Sequence, residues 1–257
     1  FKAPGSSGLR QPLPEPPISQ VLRCPRSPAQ VTAPRFNITR VCIANVDTLT
    51  AALTLGDACA LNFANAYSPG GDYLGGSRAQ EEDLCRLLPQ LHQSLACCEG
   101  GYPMDPDAAL LTRHLLAVRE PGTYRLKGEA VTCCVVSAAM PNLNDGREPR
   151  AESTEWIETV ALRLRAVLHA ARESGQRNII LGAFGCGAFR NPPRAVAKAF
   201  DAALHLPEYR GAFEAVVFAI IDTSTGNAHR QGNLEAFRSV LCQQEAQGEP
   251  SLQPPPE

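Results

Sequence analysis

Along the chain, short apolar runs alternate with longer stretches in which apolar residues recur three and four positions apart. The runs at 41–44, 60–63, 131–138, 179–181 and 215–221 have the length of strands and almost no polar interruptions, which predicts strands covered on both faces. The stretches at 77–95, 153–172, 192–204 and 233–242 have the spacing of amphipathic helices. Strands alternating with helices imply an α/β fold built on a largely parallel sheet, and in such sheets ligands collect at the loops beyond the carboxyl ends of the strands. Residues 1–34 are rich in Pro, Ser and Gly and lack periodicity, so they predict an N-terminal extension that lies loose or against the domain. Residues 246–257, ending Gln-Pro-Pro-Pro-Glu, predict a flexible tail, which leaves 35–245 as one domain.

Composition narrows the function. A chain of 257 residues that is 44% hydrophobic can bury a core of one enlarged α/β domain. The formal net charge is -2 and no dense Lys/Arg cluster occurs. No surface is therefore expected to neutralise a duplex or an anionic membrane, and a bound nucleotide must be held by a shaped pocket. The ten cysteines are scattered without a Cys-x-x-Cys or Cys/His metal spacing, which predicts reduced thiols and no metal site. No apolar run spans a bilayer and no N-terminal signal core stands out, so the expected setting is intracellular, cytoplasmic or nuclear.

Chemistry concentrates in the stretch from Leu61 to Arg86. A strand runs into Asn62-Phe63-Ala64-Asn65, then a glycine loop with Gly70-Gly71-Asp72, then a helix that opens Gln80-Glu81-Glu82. Glycines let backbone N–H groups approach a ligand closely, and a helix start adds positive potential. The plainer alternative is a turn feeding an ordinary helix, with Ser77 and Gln80 forming a capping box. Neighbours on a helix point about 100° apart, so Glu81 and Glu82 cannot form the facing carboxylate pair of an ordinary glycosidase, and if both act they have separate tasks. Asp47 follows the first strand and suits a helix cap as well as a ligand contact. Gly185 and Gly187 follow a later strand and suit a tight turn. The five histidines lie outside these loops, and Cys186 reads as a small buried thiol rather than a nucleophile.

Taken together, these segments resemble the microbial-type poly(ADP-ribose) glycohydrolases of the macrodomain superfamily. Gly70-Gly71-Asp72 followed after seven residues by Gln80-Glu81-Glu82 is similar to that family's triple-glycine and Gln-Glu-Glu signature, with Asp72 standing where many relatives have the third glycine. Asn62-x-x-Asn65 resembles the macrodomain strand end, Val46-Asp47-Thr48-Leu49 the adenine-binding element, and Gly182-Ala183-Phe184-Gly185-Cys186-Gly187-Ala188-Phe189 the second diphosphate loop.

The resemblance implies a three-layer α/β/α macrodomain with a mixed, mainly parallel sheet and additional helices. It implies hydrolysis of ribose–ribose O-glycosidic bonds in poly(ADP-ribose) with ADP-ribose as product and no cofactor. Glu82 would be the general acid and base, Glu81 would hold ribose hydroxyls, and Gln80 would support them. Asp47 would meet adenine and Asn65 the distal ribose. Gly70, Gly71 and Asp72, with Gly185, Cys186, Gly187, Ala188 and Phe189, would surround the diphosphate. Phe184, Phe189 and Tyr73 are the aromatic candidates for closing the pocket. The partner would be poly(ADP-ribose) or an ADP-ribosylated protein. Two alternatives share the loops: a reader that binds ADP-ribose without cleaving it, and a hydrolase of mono-ADP-ribosylated targets.

Overall fold

A computed structural model describes residues 12–25, 33–221 and 232–242. The expected tail at 246–257 and His229 lie outside these residues. In chain order the elements are β1 (Gln20–Arg23), β2 (Arg40–Ala44), α1 (Thr48–Leu55), β3 (Ala58–Phe63), α2 (Gln80–Leu87), α3 (Gln90–Ala96), β4 (Ala108–Arg119), β5 (Leu126–Ala138), α4 (Thr154–Glu173), β6 (Asn178–Leu181), α5 (Pro193–Leu204), β7 (Ala215–Ala219) and α6 (Asn233–Leu241).

The strands form one seven-stranded sheet in the order β1-β4-β5-β3-β6-β7-β2. From β5 to β2 every pairing is parallel, while β4 runs antiparallel to both β5 and β1. The apolar runs are continuous because both faces are covered. On β6, Ile179 and Leu181 join the core under α4, α5 and α6, whereas Ile180 packs with Ala51 and Ala52 of α1 on the opposite face. Leu84, Leu87, Leu91 and Leu95 of α2 and α3 extend that second face over β4 and β5. The outcome is the α/β/α sandwich with a mixed, mainly parallel sheet that the resemblance implied, built on the largely parallel sheet that the strand and helix pattern predicted. None of the ten cysteines is in a disulfide. Among the described residues, no helix is long and apolar enough to cross a membrane.

The local reading needs revision at four places, two of them elements that the pattern did not predict. Part of the extension at 1–34, expected to lie loose or against the domain, is an edge strand of the sheet: residues 20–23 pair with β4, and the buried Ser19 and Thr112 hydroxyls meet at 2.7 Å. An edge strand bonds on one side only and needs no strong apolar alternation, so it left little trace in the pattern. β4 was hidden because its register shifts between Thr112 and Leu115, where His114 sits at φ 60, and this irregularity breaks the two-residue period. Helix α1 is short and rich in Thr and Ala, which weakens its amphipathic signal. The single helix expected over 77–95 is two, α2 and α3, divided at Pro89, which lacks the N–H that an unbroken helix would use.

Candidate active site

A cleft of about 400 Å³ opens beyond the carboxyl ends of β2, β3, β6 and β7. Its walls include Val46 to Leu49, Phe63 and Asn65, Arg78 to Leu84, Ala183 to Gly185, Gly187 to Phe189, Ala219 to Ile221, and Asn233. Segments more than 180 residues apart in sequence thus meet because parallel strands end at one rim.

Asp47 caps α1: its Oδ1 accepts from Thr50 N at 2.8 Å and its Oδ2 from the Thr50 hydroxyl at 2.5 Å. The carboxylate also lines the cleft, and its remaining lone pairs are available to a ligand donor. Capping and ligand contact therefore are compatible roles for this residue.

The capping box reading of Ser77 and Gln80 does not hold. The N-cap of α2 is Ala79, which offers no side-chain bond. Gln80 crosses instead to β3, where its Oε1 accepts from Phe63 N at 2.8 Å and its Nε2 donates to Leu61 O at 2.7 Å and to the Thr48 hydroxyl at 3.1 Å. This side chain ties the first turn of α2 to the end of β3 and the start of α1.

That tie sets the two glutamates. Glu81 is 3% exposed and Glu82 is 7% exposed, although they begin a helix in a charged first turn. Glu81 turns to the strand end: Oε2 accepts from Asn65 N at 2.8 Å, and Oε1 accepts from Gly70 N at 3.1 Å and Asn62 Nδ2 at 3.3 Å. Asn62 is in turn fixed by donating to Ser137 Oγ, its register partner on β5, at 3.0 Å. Burial pushes the Glu81 carboxyl up to about 7, with the neighbouring Glu82 charge adding to the rise and the three N–H donors opposing it.

Glu82 makes a different set of contacts. Its Oε1 accepts from Asp72 N at 3.0 Å, while its Oε2 is buried and has no hydrogen-bond partner among the described residues. The loop closes down on this carboxylate because Gly71 has φ +61 and no side chain: a Cβ there would lie 2.3 Å from Glu82 Oε1 and 3.1 Å from Glu81 Oε2.

Gly70, Gly71 and Asp72 are not themselves among the residues lining the cleft; they back the glutamates. The Asp72 carboxylate accepts from Ser77 Oγ at 2.6 Å, inside its own loop. Tyr73 also does not line the cleft, since its ring packs 5.5 Å from that of His92 and beneath the Arg86 guanidinium. Arg86 donates from Nη2 to Ser77 O and so pins the far end of the loop.

In the second loop, Gly185, Gly187, Ala188 and Phe189 reach the cleft, whereas the Cys186 side chain turns into the core and burial pushes its thiol up. Phe184 lies 5.4 Å from Phe63, ring to ring, at the base of the cleft. The loop is held by buried Asn191, which accepts from Trp156 Nε1 at 2.9 Å and donates to Pro141 O at 2.8 Å and Gly185 O at 3.0 Å. A Cβ on Gly185 would lie 2.8 Å from Asn191 Nδ2 and 2.6 Å from Met140 Cβ, so this close approach requires glycine. Asn233, Arg78 and residues 219–221 were missed in the sequence. The rule that ligands gather at strand carboxyl ends pointed at 219–221, while Asn233 carried no local signal.

The family described as "microbial-type PARG, catalytic domain" matches residues 20–114, which contain both glutamates. Poly(ADP-ribose) glycohydrolase from Thermomonospora curvata is 31% identical, with 86% of this chain and 85% of that chain covered and a TM-score of 0.72. The enzyme from Deinococcus radiodurans, solved in complex with ADP-ribose, is 33% identical, with 80% and 86% covered and a TM-score of 0.69. A T. curvata structure bound to the inhibitor ADP-HPD is 29% identical, with 86% and 84% covered and a TM-score of 0.72. No curated protein matches. With this identity sustained over most of both chains, around a cleft walled by the Gln80-Glu81-Glu82 helix and the 183–189 glycine loop, the chain belongs to the poly(ADP-ribose) glycohydrolase family.

Proposed function

We propose that this cleft hydrolyses the ribose–ribose O-glycosidic bond of poly(ADP-ribose) and releases ADP-ribose, with Glu82 as general acid and base. The observation that carries the assignment is the unshared Oε2 of Glu82. One oxygen is anchored by Asp72 N, and the other is buried with no partner among the described residues, in a residue that lines the cleft. Buried polar atoms in native proteins almost always have partners, so an orphan here is accounted for by a ligand hydroxyl.

In this reading adenine lies near Asp47, the diphosphate lies along the second glycine loop, and the distal ribose lies against Asn65. The bond from the ribose anomeric carbon to the leaving oxygen breaks as Glu82 gives that oxygen a proton. Water then adds to the anomeric carbon and returns a proton to Glu82. Glu81, held by three N–H donors, receives ribose hydroxyls and fixes the sugar. The substrate's own diphosphate steadies the oxocarbenium-like state. An intracellular setting belongs to this reading, supported by the free thiols.

The test is to incubate the protein with poly(ADP-ribose) and with mono-ADP-ribosylated protein, and to identify the products. The polymer should yield ADP-ribose. Glu82→Gln should lower turnover by about a thousandfold while ADP-ribose affinity stays within about threefold, since the amide keeps its shape but cannot exchange the proton. Binding without release of ADP-ribose from either substrate would make the protein a reader. Release from the mono-modified protein alone would make it a hydrolase of that class.

A further inference from the structure

Beyond the distal ribose the rim carries an unusual surface. Tyr67 is 66% exposed, although two residues earlier Asn65 lines the cleft. Its position is fixed from the backbone: Asn65 Oδ1 accepts from Tyr67 N at 2.8 Å and from Ser68 N at 3.1 Å, so the turn that leaves the site presents the ring outward. A second segment docks on the cleft's glycine loop. Leu143 N donates to Phe189 O at 3.0 Å and Asn144 Nδ2 to Ala188 O at 2.7 Å, which docks the 142–147 turn on the second glycine loop. This turn carries Arg147, whose side chain is 80% exposed and whose Nη2 lies 2.6 Å from Asp145 Oδ2.

Tyr67 lies within electrostatic range of both Arg147 and Arg163. Arg163 is itself buried; it donates from Nη1 to Ala139 O, and its Nε has no partner among the described residues. Asp145 pairs with Arg147, and Glu148 lies within range of both arginines, so the patch is mixed, with Arg147 exposed. An outward aromatic ring within range of a guanidinium paired to Asp145 suits a nucleotide, the ring stacking on a base and the cation meeting phosphate.

We infer that Tyr67 and Arg147 form a subsite for the leaving unit of the polymer, with Tyr67 stacking on its adenine and Arg147 meeting its diphosphate. The inference rests on the glycohydrolase reading, because only a ribose–ribose linkage at Glu82 puts a second adenosine diphosphate at this rim. The subsite grips polymer and ignores the released monomer, so product leaves without competing through it.

The experiment is a binding comparison in the Glu82→Gln background, which preserves the substrate. Affinities are measured for ADP-ribose and for a two-unit oligomer joined by the ribose–ribose bond. The oligomer should bind about tenfold tighter than the monomer, and Tyr67→Ala should erase that difference while monomer affinity stays within about twofold. Tyr67→Phe should retain it, since the ring is what stacks. Arg147→Ala should remove a portion that shrinks with added salt. Equal affinities for the two ligands overturn the inference, and so does a Tyr67→Ala variant that weakens both alike. Failure of the wild-type protein to release ADP-ribose from polymer is a separate result. It overturns the glycohydrolase reading and is read without this comparison.

Discussion

Gly71→Ala is the most direct test of how the glycine loop serves the glutamates. The residue has φ +61, where an L side chain costs about 1–2 kcal/mol. For a domain of this size that corresponds to roughly 2–8 °C in melting temperature. The steric term is more specific. The new Cβ would stand 2.3 Å from Glu82 Oε1, where ordinary contact begins at 3.4 Å, so the carboxylate must retreat by about 1 Å and weaken its bond from Asp72 N. Misplacing a reacting group by that distance costs about a hundredfold in rate. Gly175→Ala is the control, because φ there is +81 with nothing within 4 Å of the added Cβ. Both variants should lose comparable stability in thermal melts, and only Gly71→Ala should lose kcat in an ADP-ribose release assay. If Gly71→Ala melts like the control and keeps kcat within about twofold, the loop does not set the position of Glu82.

Three further outcomes follow from other contacts. Glu81 is raised from 4.5 to about 7 in the folded chain, so its contribution to stability is fully present below about pH 4.5 and is lost as pH rises through 7. Urea midpoints should therefore show Glu81→Gln gaining on wild type by up to roughly 3 kcal/mol between pH 4.5 and 8, and parallel pH curves would contradict this. Asn191→Ala strands the Trp156 N–H and removes two donors from the Pro141 and Gly185 carbonyls, so it should cost about 2–4 kcal/mol in urea unfolding and weaken ADP-ribose binding, measured by calorimetry. Asp72→Gly should leave ADP-ribose affinity nearly unchanged at low and high salt, because the carboxylate is turned to Ser77 within its loop; a large gain that fades with salt would place it against the phosphates.

The parts of this protein that were legible in the sequence are those with local causes. Runs such as 179–181 are apolar throughout because parallel strands are buried on both faces, and that constraint is written residue by residue. The Gly70-Gly71 to Gln80-Glu81-Glu82 spacing could be read because a turn and the helix that follows it are specified by neighbouring residues. Where one side of an element was free or its period broken, the pattern gave no warning: β1 bonds along one edge, and β4 slips register at His114. The split at Pro89 was readable from the missing N–H alone and was overrun by the apolar spacing on either side.

Only the tertiary structure decided what each glutamate touches. Two adjacent carboxylates have the same chemistry in the chain. They separate because Asn62, Asn65 and Gly70 supply donors to Glu81, while Glu82 receives one from Asp72 and keeps an oxygen unshared. The same holds for Gln80, which the local pattern cast as a cap and the fold turned into a brace onto β3, and for Asn233, which reaches the cleft from the far end of the chain. Burial and hydrogen-bond partners depend on groups brought together from distant positions, and a single side chain cannot encode them until the sheet has set which strand ends meet.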